Sequence, residues 1–282
     1  MRRIISSLAL IASVASLAQA QGLRVYIAAD MEGIAGLSAM DDPAGPRLMT
    51  EEVNAAIAGA FAAGATRVLV NDAHGSHANL LVERLDSRAV LQRGNLKPYG
   101  MMEGLDDTYS AVLLIGVHAK AGVPGAYAAH TGSGRVADLR VNDVSVGEAG
   151  MNALYAGWYG VPVAFLSGDS LAIVELRALV SSVHGVTVKT GIWGRAQHSL
   201  SPDSARAHIK VGVQAALRDP GRPLPRAERY EVEMEYTSAI YADIAEGIPG
   251  VERVGATTVR FTVQEYPEAY RMIRVLYKHL SQ

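Results

Sequence analysis

The 282-residue chain contains no cysteine. Disulfides, thiolate catalysis and cysteine-based zinc sites are therefore excluded, and any metal site must be built from His, Asp and Glu. The chain also lacks a block of Lys or Arg, and its formal net charge is only −2. Since no basic patch is present, we expect no nucleic-acid partner.

Long apolar runs are scarce as well. The basic start Met1-Arg2-Arg3 precedes a largely apolar stretch, Ile4 to Leu17, and a small-x-small cleavage site, Ala18-Gln19-Ala20. This pattern predicts a secretory signal peptide over residues 1–20, cut after about Ala20, and hence a periplasmic or secreted protein. The apolar stretch is short and rich in Ser, and no later run is long enough to span a membrane, so we expect no membrane span.

Strand-like and helical patterns alternate along the first part of the mature chain. The apolar run Val25–Ala29, the helical pattern Arg47–Ala63 and the apolar run Arg67–Asn71 predict a βαβ unit. The right-handed crossover of such a unit makes its two strands parallel. The pattern continues, so we predict an α/β fold over residues 21–190, with a mostly parallel sheet and helices on both faces (Rossmann-like, three-layer).

The pattern changes in the last third of the chain. Glu231–Tyr236 and Thr257–Val263 alternate polar and apolar residues, which is typical of strands with one face in solvent. An amphipathic helix is predicted from Tyr266 to His279. We therefore predict a smaller α+β portion or domain over residues 191–282.

Two carboxylates follow the first strand directly. Side chains alternate along a strand, so Asp30 and Glu32 point the same way from its end. Two like charges so close together are unfavourable unless a cation lies between them. The alternative is that Asp30 caps a turn or a helix.

Further candidate ligands follow later elements. His74 and His118 come directly after two more apolar strands, Glu148 begins a helix, and His130 lies in a Gly/Ala-rich loop. The carboxyl ends of parallel strands share one edge of a sheet, where functional groups of open α/β sheets gather. Histidines and carboxylates form the ligand set expected for one or two zinc ions. Taken singly, a His after a strand is more often a turn or cap residue, and Glu148 is more often a helix N-terminal charge.

Short motifs containing these residues occur in order over nearly the whole mature chain. They are Asp30-Met31-Glu32-Gly33, Val70-Asn71-Asp72-Ala73-His74, Lys97-Pro98, Glu103-Gly104-Leu105-Asp106-Asp107-Thr108, Gly116-Val117-His118-Ala119, Pro124-Gly125 with His130, and Val146 to Ala153. Together they resemble the zinc D-aminopeptidases of peptidase family M55. The resemblance weakens past Asp169.

The resemblance implies a site, an activity and an assembly. It implies two zinc ions with Asp30 bridging and an active-site histidine at His130. The ligands that it implies are Asp30, Glu32, His74, His118 and Glu148. It further implies cleavage of N-terminal D-amino acids, chiefly D-Ala, from short peptides, and a ring-like homo-oligomer, a decamer.

Two features depart from the family pattern. A signal peptide precedes the fold, and export makes D-Ala-rich fragments of cell-wall peptide an attractive substrate. Gly168-Asp169-Ser170 replaces a more acidic Gly-Asp-Asp of the family, which leaves the surroundings of the metal site open.

The candidate metal ligands, together with the family resemblance, predict metal-assisted hydrolysis of a peptide bond. His130 is then a nucleophile or a general acid and base, and we favour the second role because imidazole titrates near neutral pH. Asn71, Asp72 and Asn152 either orient the ligands or serve as turn and cap residues. The alternatives are a periplasmic peptide-binding protein without catalysis and a metal-dependent amidase or esterase of the same fold.

Overall fold

The fold is built on two β-sheets. The computed structural model describes residues 22–279, so the predicted signal peptide lies outside the described residues. The seven strands of the larger sheet are β1 (Leu23–Ala29), β2 (Ala65–Asp72), β3 (Val90–Gln92), β4 (Ala111–Val117), β7 (Val163–Asp169), β8 (His184–Trp193) and β9 (Ala196–Ser199). The five strands of the smaller sheet are β5 (Val136–Val141), β6 (Val144–Ser145), β10 (Tyr230–Tyr236), β11 (Glu252–Arg253) and β12 (Thr258–Val263).

The larger sheet has the order β3-β2-β1-β4-β7-β8-β9. Its neighbouring strands are parallel except for the pair β8 and β9. The α-helices are α1 (Gly45–Ala62), α2 (Glu148–Trp158), α3 (Ser170–Leu179), α4 (Pro202–Arg218), α5 (Ala239–Ala245) and α6 (Tyr266–Arg274). Short 3₁₀ turns cover Val82–Arg84 and Gly100–Met102, and a π-helical segment, Val275–His279, follows α6.

Both faces of the larger sheet are covered. In β1, Val25 and Ile27 pack into a core with α1 and α4, whereas Tyr26 and Ala28 pack into a second core with α2, α3 and α6. This is the alternation that a strand buried on both faces requires. The predicted α/β class, with a mostly parallel sheet and helices on both faces, is confirmed.

The smaller sheet combines two distant parts of the chain. One part is the hairpin of β5 and β6, whose turn residues Asn142 and Asp143 have φ of 49° and 66°. Positive φ at both positions is what a tight two-residue hairpin turn needs. The hairpin pairs antiparallel with β10, so the smaller sheet begins well before residue 191.

The larger sheet in turn extends past residue 190. It includes β9, and α4 packs against α1 on its face. The sheets therefore do not divide at residue 190, and two independently folding domains with that boundary stay a prediction. Within residues 22–279, every helix is too short or too polar to cross a membrane.

The strand order reverses beside β1. The chain runs from β1 outward to β2 and β3, then crosses to β4 and continues outward to β7 and β8. The carboxyl ends of β1 and β4 therefore flank the topological switch point, where open α/β sheets bind their ligands. Asp30 follows β1 and His118 follows β4 at this position.

Candidate metal centre

Two glycines let the ends of β1 and β4 approach closely. The Gly33 N–H donates to the Gly116 carbonyl oxygen at 2.7 Å. A Cβ on Gly33 would overlap the Val117 carbonyl oxygen. A Cβ on Gly116, which has a φ of +74°, would overlap the Asp30 carbonyl oxygen equally. Only a residue without Cβ fits such approaches. They bring the carboxylates that follow β1 beside His118.

Two groups of possible metal ligands share Asp30. In the first, His74 Nδ1 lies 2.9 Å from Glu32 Oε2 and 3.3 Å from Asp30 Oδ1. In the second, His118 Nε2 lies 3.5 Å from both Asp30 Oδ2 and Glu148 Oε1. Within each group one ligand atom from every residue lies within 4.8 Å of the others. The five side chains predicted as ligands therefore converge.

His130 reaches the same cluster from the loop after β4. Its ring stacks on that of His118, with centroids 4.1 Å apart and an interplanar angle of 10°. His130 Nε2 lies 3.7 Å from Glu148 Oε1 and 4.0 Å from Glu32 Oε1. Glu32, His118 and His130 form a third group with ligand-like spacing. The structure thus brings all six predicted site residues together.

Main-chain carbonyls orient two of the imidazoles. His118 Nδ1 lies 2.9 Å from the Ala119 carbonyl oxygen, and His130 Nδ1 lies 2.9 Å from that of Ala128. A carbonyl oxygen can only accept, so Nδ1 carries a proton in both rings. In the neutral rings, the Nε2 lone pairs then face the carboxylates and are available to a metal ion or a proton.

Burial and neighbouring charges shift the pKa values of the carboxylates and histidines in the cluster. Burial, together with the Glu32 charge, raises the pKa of Asp30 to about 7. Burial also opposes ionisation of Glu32 and Glu148, but His74 outweighs it and lowers the pKa of Glu32, and His118 lowers that of Glu148 to about 2. Although burial disfavours its cation, hydrogen bonds to Asp30 and Glu32 raise the pKa of His74 to about 10. Opposite charges therefore compensate one another throughout the cluster.

Orphaned polar atoms test whether the cluster fits zinc. Asp30 Oδ2 and His118 Nε2 are both buried, and neither has a hydrogen-bond partner among the described residues. Buried polar atoms without partners are rare, and here the two atoms face each other within one ligand group. Imidazole nitrogen and carboxylate oxygen are ligands that zinc accepts. The residues present therefore fit zinc, and Asp30 belongs to both of these ligand groups.

The other polar residues predicted near the site organise the loops around it. Asp72 accepts hydrogen bonds from the Asn79 and Leu80 N–H groups at 2.6 and 2.7 Å. Asn71 donates to the Gly100 carbonyl oxygen at 2.7 Å. Asn152 accepts from the Tyr270 hydroxyl at 2.7 Å.

Asp169 also accepts hydrogen bonds from nearby main-chain N–H groups rather than contacting the metal-ligand cluster. It accepts from Leu171 N–H at 2.9 Å, as an N-cap of α3, and from Tyr127 N–H at 2.9 Å. The second bond anchors the loop that carries His130. Ser170, which replaces the second Asp of the family's Gly-Asp-Asp, thus lies directly after the N-cap residue. The capping carboxylate of Asp169 itself is present.

A buried lysine that sequence reasoning missed supports Glu32. Lys189, on β8, is 1% exposed, and its ammonium donates to the Glu32 and Leu37 carbonyl oxygens at 2.6 and 2.9 Å. It also stands 4.0 Å from the centroid of the Tyr127 ring. A lysine in a strand gives no sequence signal for such a position, since most lysines are exposed.

The end of the chain was also missed as part of the site. Arg274, Tyr277 and Lys278 line a cavity of about 120 Å³ together with Asp30, Glu32, His74, His130 and Glu148. The one available signal was Arg274, a charge on the otherwise apolar stripe of Tyr270, Ile273 and Tyr277. A second, larger cleft of about 720 Å³ also borders Glu32 and His130, and its other lining residues include Trp193 and Arg195.

The chain is similar to known D-aminopeptidases over most of its length. The family model of the M55 peptidases, described as D-aminopeptidase, matches residues 23–275. A D-aminopeptidase of Bacillus subtilis (strain 168) is 39% identical over 267 residues, which is 90% of this chain and 96% of that protein. The solved structure of the Zn-dependent D-aminopeptidase DppA from Bacillus subtilis, described as a self-compartmentalizing protease, matches with a TM-score of 0.89 and 36% identity, over 92% of this chain and 98% of that one.

These matches confirm the predicted family and the predicted class of enzyme, a peptidase. They disfavour the alternative of a binding protein without catalysis. The chain belongs to the M55 family of D-aminopeptidases.

Proposed function

We propose that this protein is an exported, zinc-dependent aminopeptidase that removes an N-terminal D-amino acid of the D-Ala type from short peptides. The observation that carries the proposal is the position of Asp30 in two ligand groups at the sheet's switch point. Family membership supports the reaction class, and the name of the Bacillus subtilis relative supports the preference for D-residues.

Each group has a distinct role in this proposal. Asp30, Glu32 and His74 would hold one zinc ion, and Asp30, His118 and Glu148 the other, with Asp30 shared. Zinc bound there supplies Lewis-acid polarisation of the scissile carbonyl and of a water molecule. The main-chain carbonyl of Ala119 fixes the His118 ring, and Lys189 fixes the backbone of Glu32.

His130 is proposed as the general acid and base. It is the least buried histidine of the cluster, with 27% of its side chain exposed, and it lines both the small cavity and the larger cleft. Its Nε2 can take a proton from the attacking water and return it to the leaving amine, while Nδ1–H stays bound to the Ala128 carbonyl oxygen.

The substrate source and the assembly are also proposals. The N-terminal pattern of residues 1–20 supports export, and export supports D-Ala-containing fragments of cell-wall peptide as substrates. The solved relative is described as a self-compartmentalizing protease, which supports a homo-oligomer for this chain. The sequence resemblance implies that this homo-oligomer is ring-like and decameric.

The test is an assay of the purified mature protein on matched D-Ala and L-Ala p-nitroanilides. We expect turnover of the D-substrate to exceed that of the L-substrate clearly, to stop after chelation and to return with zinc. Equal turnover of both substrates would sink the D-specific proposal, and turnover that survives complete metal removal would sink the zinc proposal. An amide or ester that is cleaved far faster than any peptide would favour the amidase alternative.

A further inference from the structure

A buried arginine beside the metal centre lacks a counter-charge. Arg274, at the end of α6, is 2% exposed, and its guanidinium packs against Gly100, where a Cβ would overlap it. Nη1 donates to the Tyr277 hydroxyl at 3.2 Å, whereas Nε and Nη2 have no hydrogen-bond partner among the described residues. A buried guanidinium normally satisfies its donors in an ion pair or on carbonyl groups.

No carboxylate of the described residues pairs directly with Arg274. Within residues 22–279, no Asp or Glu oxygen lies within 4.0 Å of its nitrogens. Burial, and after it the charges of Arg274 and Lys278, lower the pKa of Lys97 to about 8, although Asp72 and Glu103 oppose the shift. Isolated buried charges are costly, so an anion in this region would be stabilised.

The uncompensated charge borders the catalytic cavity. Arg274 and Lys278, which we name the basic wall, line the cavity of about 120 Å³ together with Asp30, Glu32 and Glu148, which we name the acidic wall. Lys278 is held in place because its ammonium donates to the Gly75 carbonyl oxygen at 2.8 Å and lies 3.2 Å from His77 Nε2. A water molecule takes about 30 Å³ in the liquid, so the cavity has room for a carboxylate and a few further atoms.

We propose that the basic wall binds a carboxylate-class oxyanion, and that its occupant during turnover is the C-terminal carboxylate of a dipeptide substrate. This proposal rests on the proposed function. The planar guanidinium fork matches a carboxylate, and the unpartnered Nε and Nη2 are the pair of donors that a bidentate contact uses. A free oxyanion of the same shape, such as hydrogencarbonate, is the other source of this chemistry.

Peptide geometry selects dipeptides. In a dipeptide the terminal carboxylate carbon lies about 4 Å from the scissile carbonyl carbon, since only the amide nitrogen and one Cα separate them. Both groups can therefore occupy one small cavity, the first at the basic wall and the second at the acidic wall. In a longer peptide a neutral amide stands at the same position and gains no ion pair.

The experiment compares D-Ala-D-Ala with D-Ala-D-Ala amide on the zinc-loaded protein. Charged hydrogen bonds contribute about 1.5–3 kcal/mol, so the wild type should prefer the free acid by about 10- to 100-fold in kcat/KM. Arg274→Met removes the charge and keeps an apolar chain, and it should bring the acid-to-amide ratio to about one. The matched control is Arg271→Met, one turn earlier on the exposed side of α6, which should keep the wild-type ratio.

A second arm identifies the source of the anion. Hydrogencarbonate is titrated at constant pH and ionic strength during turnover of the amide. A saturable response in the wild type that Arg274→Met abolishes would support a free oxyanion as occupant in place of the substrate's carboxylate. An acid-to-amide ratio that is the same in wild type and Arg274→Met, without an anion response, would overturn the basic wall as a binding site.

Binding measurements separate this inference from the proposed function. Calorimetric titration of the zinc-loaded protein with the two dipeptides reports the same ratio without turnover. If the wild type cleaves neither dipeptide, the proposed function fails, and the calorimetric ratio still decides the inference. If Arg274→Met does not fold, Arg274→Lys keeps the charge without the fork and should lose most of the preference, and an unchanged preference counts against the proposal.

Discussion

The acidic wall and the basic wall border the same cavity, but their charges are compensated differently. Each carboxylate of the acidic wall has an imidazole within 4.0 Å, and two of the ligand groups share Asp30. Arg274 in the basic wall has no such partner among the described residues. Carboxylates that are neutralised by neighbouring histidines can release protons when they bind metal cations. A buried cation without a counter-charge, such as Arg274, is instead suited to bind an anion.

Replacement of a predicted ligand should have the largest effect. His118→Ala removes one donor beside Asp30 and Glu148, so we expect loss of zinc and a fall in activity of at least about 100-fold, since changes outside the ligand set alone cost about 10- to 100-fold. Metal content per chain and kcat/KM measure both effects. His208→Ala, at an exposed position of α4, is the matched control. Full zinc content in His118→Ala would remove His118 from the ligand set.

His130 separates catalysis from metal binding on the acidic wall. His130→Ala should lower kcat by about 10²- to 10⁴-fold and leave the zinc content intact, because general acid–base catalysis contributes about that much. The two readouts are steady-state kcat and zinc per chain. If zinc is lost with the activity, His130 is a ligand of the third group rather than a proton carrier.

Lys189 is a buried cation whose ammonium is bound by carbonyl groups, in contrast to Arg274, whose Nε and Nη2 have no partner among the described residues. Lys189→Met removes the bonds to the Glu32 and Leu37 carbonyl oxygens, so the loop that carries Glu32 should loosen and zinc affinity should fall by about 10- to 100-fold. A competition titration with a zinc chelator measures the affinity, and Lys210→Met, an exposed lysine of α4, is the control. Unchanged affinity would restrict Lys189 to packing.

The smallest effect on catalysis is expected at Glu52, which lies away from both walls. Burial raises the pKa of Glu52 to about 7, although the Ala35 N–H opposes the shift. Because the folded pKa lies above the unfolded value, stability is greatest below about pH 4.5 and falls as pH rises to 7. Glu52→Gln keeps the acceptor and removes the ionisation.

We therefore expect Glu52→Gln to be more stable than the wild type at pH 8 by about 1–3 kcal/mol, with a smaller difference at pH 5. Denaturant unfolding at the two pH values measures this difference. The exposed Glu83→Gln is the control and should show none. An identical pH dependence of the free energy of unfolding in wild type and Glu52→Gln would refute the raised pKa of Glu52.

Part of the metal-ligand cluster could be predicted from the sequence because Asp30, Glu32 and His118 follow strongly apolar strands. Asp30 and His118 directly follow β1 and β4, and the parallel βαβ pattern places such strand ends on one edge. The α/β class could be predicted for the same reason, since the signals of its strands and helices are local. His130 and Glu148 were weaker candidates, because a loop and a helix start carry weaker signals, and the family motifs then supported both.

The basic wall and the division of the sheets could not be predicted in this way. Arg274 and Lys278 line the cavity together with Asp30 and Glu32 only because α6 packs into the core to which β1 also contributes, which brings opposite ends of the chain together. The same holds for β5, whose partner β10 lies about ninety residues later. Sequence periodicity shows which face of an element is buried, and it does not show against which distant element that face packs.

The measurement that tests the account most directly is zinc bound per chain in the wild type and in Asp30→Ala. Because Asp30 belongs to two ligand groups, the wild type should bind two zinc ions per chain, and Asp30→Ala should lose both or retain one weakly. Mass-spectrometric metal analysis of dialysed protein gives the numbers. Two tightly bound zinc ions in Asp30→Ala, or a fully active wild type without zinc, would contradict the shared-carboxylate site.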